Sequence, residues 1–131
     1  MQLQFIDHFT LSVRPHELEL LREFYTNTFG LEEGRRPDFP FPGHWLYLNG
    51  RPVVHLAANL PDDIDPPDGT MATGKFNHVS FRCKGLEATR QRLNKMGLKF
   101  REAPVPGFPW HQIFVHDPIG LKIELTFDVP E

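Results

Sequence analysis

Histidine and glutamate, side chains that ligate metal ions and carry protons, recur at matching places in two halves of this chain. His8 and His78 lie in related segments, and His55 and Glu124 in another related pair. The relation appears when the chain is slid against itself. IDHFTLSV, residues 6–13, overlays FNHVSFRC, residues 76–83, at an offset of 70. HWLYLNG from His44 overlays HQIFVHD from His111 at 67, and VVHL overlays KIEL at 69, setting His55 opposite Glu124. Gly30-Leu31 and Gly97-Leu98, each closing a helical stretch, are again related by 67. Matches in one order, with offsets drifting by only a few residues, indicate duplication with small loop changes. The four metal-type side chains then outline one shared site.

The elements that must position them follow from periodicity. Residues 5–13 alternate, with Ile6, His8, Thr10 and Ser12 on one face and Phe5, Phe9, Leu11 and Val13 on the other, as a strand does. Pro15 suits a first helical turn, Leu18, Leu21, Phe24 and Tyr25 form an apolar stripe, and Gly30 ends a helix expected over 15–29. Strands are expected near 32–36, 45–49 and 52–57, the last two joined by an Asn49-Gly50 turn. The Pro-, Asp- and Gly-rich stretch at about 61–74 predicts a linker. The order then repeats, with a strand at 76–83, a helix at about 86–96, and strands near 99–102, 112–115 and 121–127. Asp117-Pro118-Ile119-Gly120 supplies the second hairpin turn. The fold expected is α+β: two βαβββ modules, about 1–60 and 75–131, in one 131-residue domain. They would form a curved, cup-like mixed sheet with helices on the outer face. The other face would carry His8, Thr10, His78, Ser80, Arg82, Glu124 and Thr126.

Composition narrows the partners to small molecules. Fourteen Lys and Arg against seventeen Asp and Glu, a net charge of −3, give no basic field for nucleic acid. No stretch approaches the roughly 20 apolar residues of a membrane span. The opening MQLQFIDHF lacks the build of a signal peptide, and one cysteine, Cys83, makes no internal disulfide, so a cytoplasmic location is expected. Cys83 shares a face with Val79 and Phe81 and reads as a buried structural thiol.

DHFTLSV, FYTNTFGL, NHVSFRC and HDPIGLKIEL, taken together, resemble the vicinal oxygen chelate superfamily of glyoxalases, bleomycin-resistance proteins and extradiol dioxygenases. The resemblance spans essentially the whole chain and implies paired βαβββ modules, a small-molecule substrate and a homodimer. It also implies one divalent ion held by His8, His78 and Glu124, with His55 as a fourth ligand, an acid–base group or a packed histidine. Two histidines and a carboxylate with open positions suit Fe(II), and such nitrogen and oxygen ligands also take Mn, Ni, Co or Zn. The implied function is a divalent-metal-dependent enzyme that chelates two neighbouring oxygens of its substrate. Its chemistry would be that of a lyase or isomerase, with Glu124 and His55 as catalytic groups, or of a ring-cleaving dioxygenase. The alternative is a metal-free, bleomycin-resistance-like protein that sequesters a small molecule.

Three departures from family patterns matter. Phe114 stands where extradiol enzymes commonly carry tyrosine, with Tyr47 at the repeat-related place and His116 nearby. No arginine follows Glu124 to hold a phosphonate, and His55 replaces the glutamate typical of glyoxalase I. Thr10, Tyr47, Arg82, Phe114 and Trp110 are the expected substrate-binding residues, Arg82 through a substrate carboxylate. The Pro-rich loops 37–45 and 103–112 carry Phe39, Phe41, Phe108 and Trp110, which either cover a substrate or pack at a sheet edge or subunit contact. Arg35 and Arg36 read as surface residues, and His44 and His111 as lying on the reverse face from Gln112 and Phe114.

Overall fold

The computed structural model describes residues 1–2, 4–60 and 78–131, so the linker expected over 61–74 and the first residues of the strand at 76–83 lie outside the described residues. The chain forms two compact units, Met1–Asp65 and Pro66–Glu131. The first contains β1 (Phe9–Ser12), α1 (Leu18–Phe29), β2 (Glu32–Gly34), β3 (Gly43–Leu48) and β4 (Arg51–Ala57). The second contains β5 (His78–Cys83), α2 (Leu86–Lys95), β6 (Phe100–Pro104), β7 (Trp110–His116) and β8 (Lys122–Asp128). Each is βαβββ, and each holds a four-stranded mixed sheet, ordered β1-β4-β3-β2 and β5-β8-β7-β6. First and fourth strands pair in parallel, and the remaining neighbours are antiparallel.

The local signals act as their chemistry dictates. Gly30, at φ 72°, caps α1 and donates its N–H to the Thr26 and Tyr25 carbonyls. Asn49 and Gly50 both take positive φ, 51° and 77°, as a two-residue hairpin turn between right-twisted strands requires. The Asp117 carboxylate accepts the Ile119 and Leu121 N–H groups and fixes the second turn. Several boundaries differ from expectation by one or two residues, and two differ by more. Pro15–Glu17 is a short 3-10 turn ahead of α1, and β1 starts at Phe9 rather than residue 5. Phe9 pairs with Val54, and Pro52 just before it has no N–H to extend the ladder. Phe5 and Ile6 are consequently exposed, and the Arg51 guanidinium lies over the Phe5 ring.

Each sheet buries one apolar face. In the first unit Leu11, Leu46, Val54 and Leu56 meet Leu18, Leu21 and Tyr25 in a buried set; in the second the set is Ile113, Val115, Ile123, Leu125, Phe127 and Leu93. Leu93 is the one fully buried residue of α2, and burying a leucine contributes about 1.5–3 kcal/mol. Polar contacts therefore carry part of that helix's attachment. Arg90 donates to Glu102 on β6 at 2.9 Å, and the Glu131 carboxylate accepts the Gly85 and Leu86 N–H groups at the start of α2. In the first unit Arg22 donates to Glu19, and His44 on β3 bridges Glu19 and Glu33 of β2. Among the described residues, no helix is long and apolar enough to cross a membrane.

These ion pairs set an acid dependence. The hydrogen bond from Arg90 holds Glu102 below its ordinary value of 4.5, and the one from Arg22 does the same for Glu19. Such groups contribute stability above the unfolded value, and it is lost as pH falls through the folded one. The melting temperature followed by circular dichroism should thus drop as pH falls below about 4.5. Glu102→Gln should melt at most a few degrees lower at neutral pH and show a smaller acid-induced drop, since exposed pairs contribute under about 1 kcal/mol.

Candidate active site

In the second unit, parallel pairing of β5 with β8 sets Ser80 against Glu124 and Arg82 against Thr126. Antiparallel pairing of β7 with β8 sets Gln112 against Thr126 and Phe114 against Glu124. Alternation then points Ser80, Gln112, Glu124 and Thr126 to the face opposite the apolar one. Glu124 Oε1 accepts three hydrogen bonds, from Gln112 Nε2 at 2.7 Å, Ser80 Oγ at 2.9 Å and Thr126 Oγ1 at 3.0 Å. Its Oε2 faces His78 Nε2 at 3.3 Å, and the Glu124 side chain is only 13% exposed. One oxygen is pinned, and the other is directed at an imidazole. Ser80, Gln112, Glu124 and Thr126 line an open cavity of about 360 Å³ with Arg82 and Trp110.

In the first unit the corresponding face holds rings. His55 is buried, with His8 stacked on it at 3.8 Å between centroids and Trp45 at 3.9 Å, the ring planes within 13° and 11°. Trp45 is paired opposite His55 across β3 and β4, and Thr10 opposite it across β1 and β4. His55 Nε2 lies 3.0 Å from the Pro52 carbonyl, which only accepts, so the neutral ring keeps its proton on Nε2 and its lone pair on Nδ1. Burial first, then the neighbouring His8, pushes its pKa below the ordinary 6.5. His8 directs Nδ1 at the Asp7 carboxylate, 2.6 Å away, which leaves Nε2 for another partner. Because the two imidazoles are stacked nearly parallel, their in-plane lone pairs run alongside each other rather than converge on one point.

The structure thus brings His78 together with Glu124, and His8 with His55. Among the described residues, no three His, Cys, Asp or Glu side chains are grouped to hold an ion. Tyr47 stands apart from its expected equivalence with Phe114. The register shifts between Leu46 and Tyr47, pairing Tyr47 with Pro52, and its hydroxyl donates to the Arg35 carbonyl. Phe114 lies under the Arg101 guanidinium. Arg36, half-buried, donates to the Phe41 carbonyl and lies over the stacked Phe39 and Phe41 rings, so it organises its own loop. Cys83 is half-buried, and burial raises its thiol pKa. His44 and His111 engage Glu19, Glu33 and Glu102 on the helix side. Sequence reasoning missed Gln112 as the closest donor to Glu124, Trp45 as the plane against His55, and Asp7 as the orienter of His8. The adjacency of Asp7 was the one signal readable without strand pairing.

Comparison with known proteins agrees with the paired βαβββ fold. Residues 5–125 match the family model described as Glyoxalase/Bleomycin resistance protein/Dioxygenase superfamily. The chain is 32% identical over 118 residues to Glyoxylase I 4 of Arabidopsis thaliana, covering 88% of this chain and 67% of that protein. Two solved structures share the fold. A protein from Bacillus anthracis assigned to the glyoxalase family has a TM-score of 0.76 at 23% identity, with 98% of both chains covered. A single-residue variant of the fosfomycin resistance protein FosX from Listeria monocytogenes, complexed with Mn(II) and 1S,2S-dihydroxypropylphosphonic acid, has a TM-score of 0.71 at 16% identity, covering 98% of this chain and 95% of that one. On the family match and the duplicated βαβββ order together, the chain belongs to the glyoxalase/bleomycin resistance protein/dioxygenase superfamily.

Proposed function

We propose that the chain is a divalent-metal-dependent enzyme of lyase or isomerase type, acting on a small substrate that presents two neighbouring oxygens. The observation that supports it is the His78–Glu124 pair. Ligands bonded to one ion at about 2.0–2.2 Å stand about 3.0–3.5 Å apart, and His78 Nε2 and Glu124 Oε2 are separated by 3.3 Å. With Oε1 held by Gln112, Ser80 and Thr126, Oε2 remains to bind, and an imidazole–carboxylate set accepts Fe, Mn, Ni, Co or Zn. The family resemblance adds His8, at the repeat-related position, as a further proposed ligand. When bound, the ion would stabilise negative charge developing on the substrate oxygens.

His55 takes the acid–base role. Burial keeps it neutral, its bond to Pro52 fixes the lone pair on Nδ1, and that atom would accept a proton from carbon next to a carbonyl. The likeness to Glyoxylase I 4 supports lyase or isomerase chemistry, and Mn(II) in the FosX structure supports a divalent ion in this fold. Phe114, which has no hydroxyl, disfavours the ring-cleaving reading.

Metal content by mass spectrometry, on protein purified anaerobically, should show about one transition-metal ion per chain. His78→Ala and Glu124→Ala should lose it while keeping their circular dichroism spectra. Gln112→Ala should weaken metal affinity roughly 10- to 100-fold, as loss of an orienting partner does. Wild-type protein that takes up no metal on titration would instead favour a metal-free binding protein. For the acid–base role, His55→Ala should keep its metal and lose turnover; loss of metal would make His55 a ligand. In an NMR titration His55 should titrate below 6.5, and Trp45→Ala, which opens the ring to water, should move it upward.

A further inference from the structure

The duplication serves as an internal control for what the fold requires. Arg82, Trp110 and Asp128 have as repeat-related counterparts Ser12, Gly43 and Asn59, by the offsets of 70, 67 and 69. The first unit builds the same four-stranded sheet without a guanidinium, an indole or a carboxylate at those places. In the second unit the three are assembled. The Arg82 guanidinium lies over the Trp110 ring at 4.6 Å, Phe108 stacks on the same indole at 4.6 Å, and Asp128 Oδ1 stands 3.3 Å from Arg82 Nη2. Arg82 and Trp110 also line the cavity that contains Glu124. The sheet does not need this group, and it orients a cation at the cavity wall.

We propose that Arg82, held over Trp110, is the site for a carboxylate on the substrate, so that the enzyme acts on small carboxylic acids. This rests on the second-unit cavity being the substrate site. Guanidinium has five N–H donors in a planar fork that matches a carboxylate bidentately, and Asp128 engages Nη2 alone. Asp128 is 62% exposed and the Arg82 side chain 50%, so their pair is a weak, solvated one that an incoming carboxylate can share or displace.

Charge decides between anions. Among the described residues, Arg82 is the only cationic side chain lining the cavity, whose wall also carries Glu124. Its single charge matches that of a monoanion, and its planar fork matches the planar pair of oxygens of a carboxylate. Along the strand Arg82 lies two residues beyond Ser80, the partner of Glu124, or about 7 Å at the rise of a strand. The charged group of the substrate therefore binds at one end of the cavity and its reacting end near Glu124.

Benzoate and benzamide, alike in shape and different in charge, are the probes. Each is titrated into the 131-residue chain as purified and after treatment with chelator, the Trp110 indole N–H being followed by NMR, with metal content measured on the same samples. Benzoate should bind at least about tenfold more tightly than benzamide in both preparations, and Arg82→Gln should bring that ratio close to one. Equal binding of the two probes, no benzoate binding, or a ratio unchanged in Arg82→Gln would overturn the proposal. Inorganic phosphate binding more tightly than benzoate would overturn the choice of a carboxylate. A protein that takes up no metal yet keeps the Arg82-dependent ratio would sink the metal-enzyme reading alone, and a metal-loaded protein without the ratio would sink the carboxylate site alone.

Discussion

Parallel pairing between the first and fourth strands of each unit is the constraint on which the site depends. It places Thr10 beside His55 in one sheet and Ser80 beside Glu124 in the other. Because side chains alternate along a strand, a one-residue slip in either pairing would turn His55 or Glu124 into the apolar layer. The slip is opposed by what lies on the other face. Val54 and Leu56 flank His55, Ile123 and Leu125 flank Glu124, and all four are buried. Moving such residues into water costs about 1.5–3 kcal/mol each, far more than a strand gains from an alternative ladder. The hydrophobic layer therefore fixes the register, and the register fixes the chemistry.

The helix-side face shows a second economy of the duplication. Glu19, Arg22, Glu33 and His44 in the first unit have Glu87, Arg90, Glu102 and His111 as counterparts, and both sets tie a helix to the first and second strands that follow it. The wiring differs. His44 takes both carboxylates in the first unit, whereas Arg90 takes both in the second, leaving His111 Nε2 buried and 3.4 Å from Glu102. Each His44 ring nitrogen faces one carboxylate, Nδ1 that of Glu33 and Nε2 that of Glu19. Arg90 reaches both of its carboxylates through one guanidinium. The same four residue types thus attach the two helices through different hubs, an imidazole in the first unit and a guanidinium in the second.

The sequence carried the βαβββ order because its signals are local: period-two alternation, the stripe on α1, Gly30 and the Asn49-Gly50 turn are readable within a few residues. The relation of His55 to Glu124 was legible as well, since duplication records it directly in the residue order. What remained hidden depends on cross-strand pairing. Sliding the chain on itself equates Tyr47 with Phe114, yet the irregularity between Leu46 and Tyr47 changes the partners, and Trp45 is the residue opposite His55. Gln112 likewise becomes the closest donor to Glu124 through the pairing of β7 with β8, which no spacing within either strand discloses.

Once duplicated, a scaffold of this kind can divide its labour. A carboxylate that works at a site needs donors to fix its orientation, and Glu124 has three of them on strands paired with its own. An imidazole kept neutral needs a dry surface, and His55 has the His8 and Trp45 rings stacked on it. Neither environment would suit the other residue. Rings stacked around Glu124 would raise the cost of its charge, and hydroxyl donors around His55 would compete for the lone pair its burial protects. Divergence of the residues around one position, with both backbones kept alike, is what turns a repeated sheet into two chemically distinct halves.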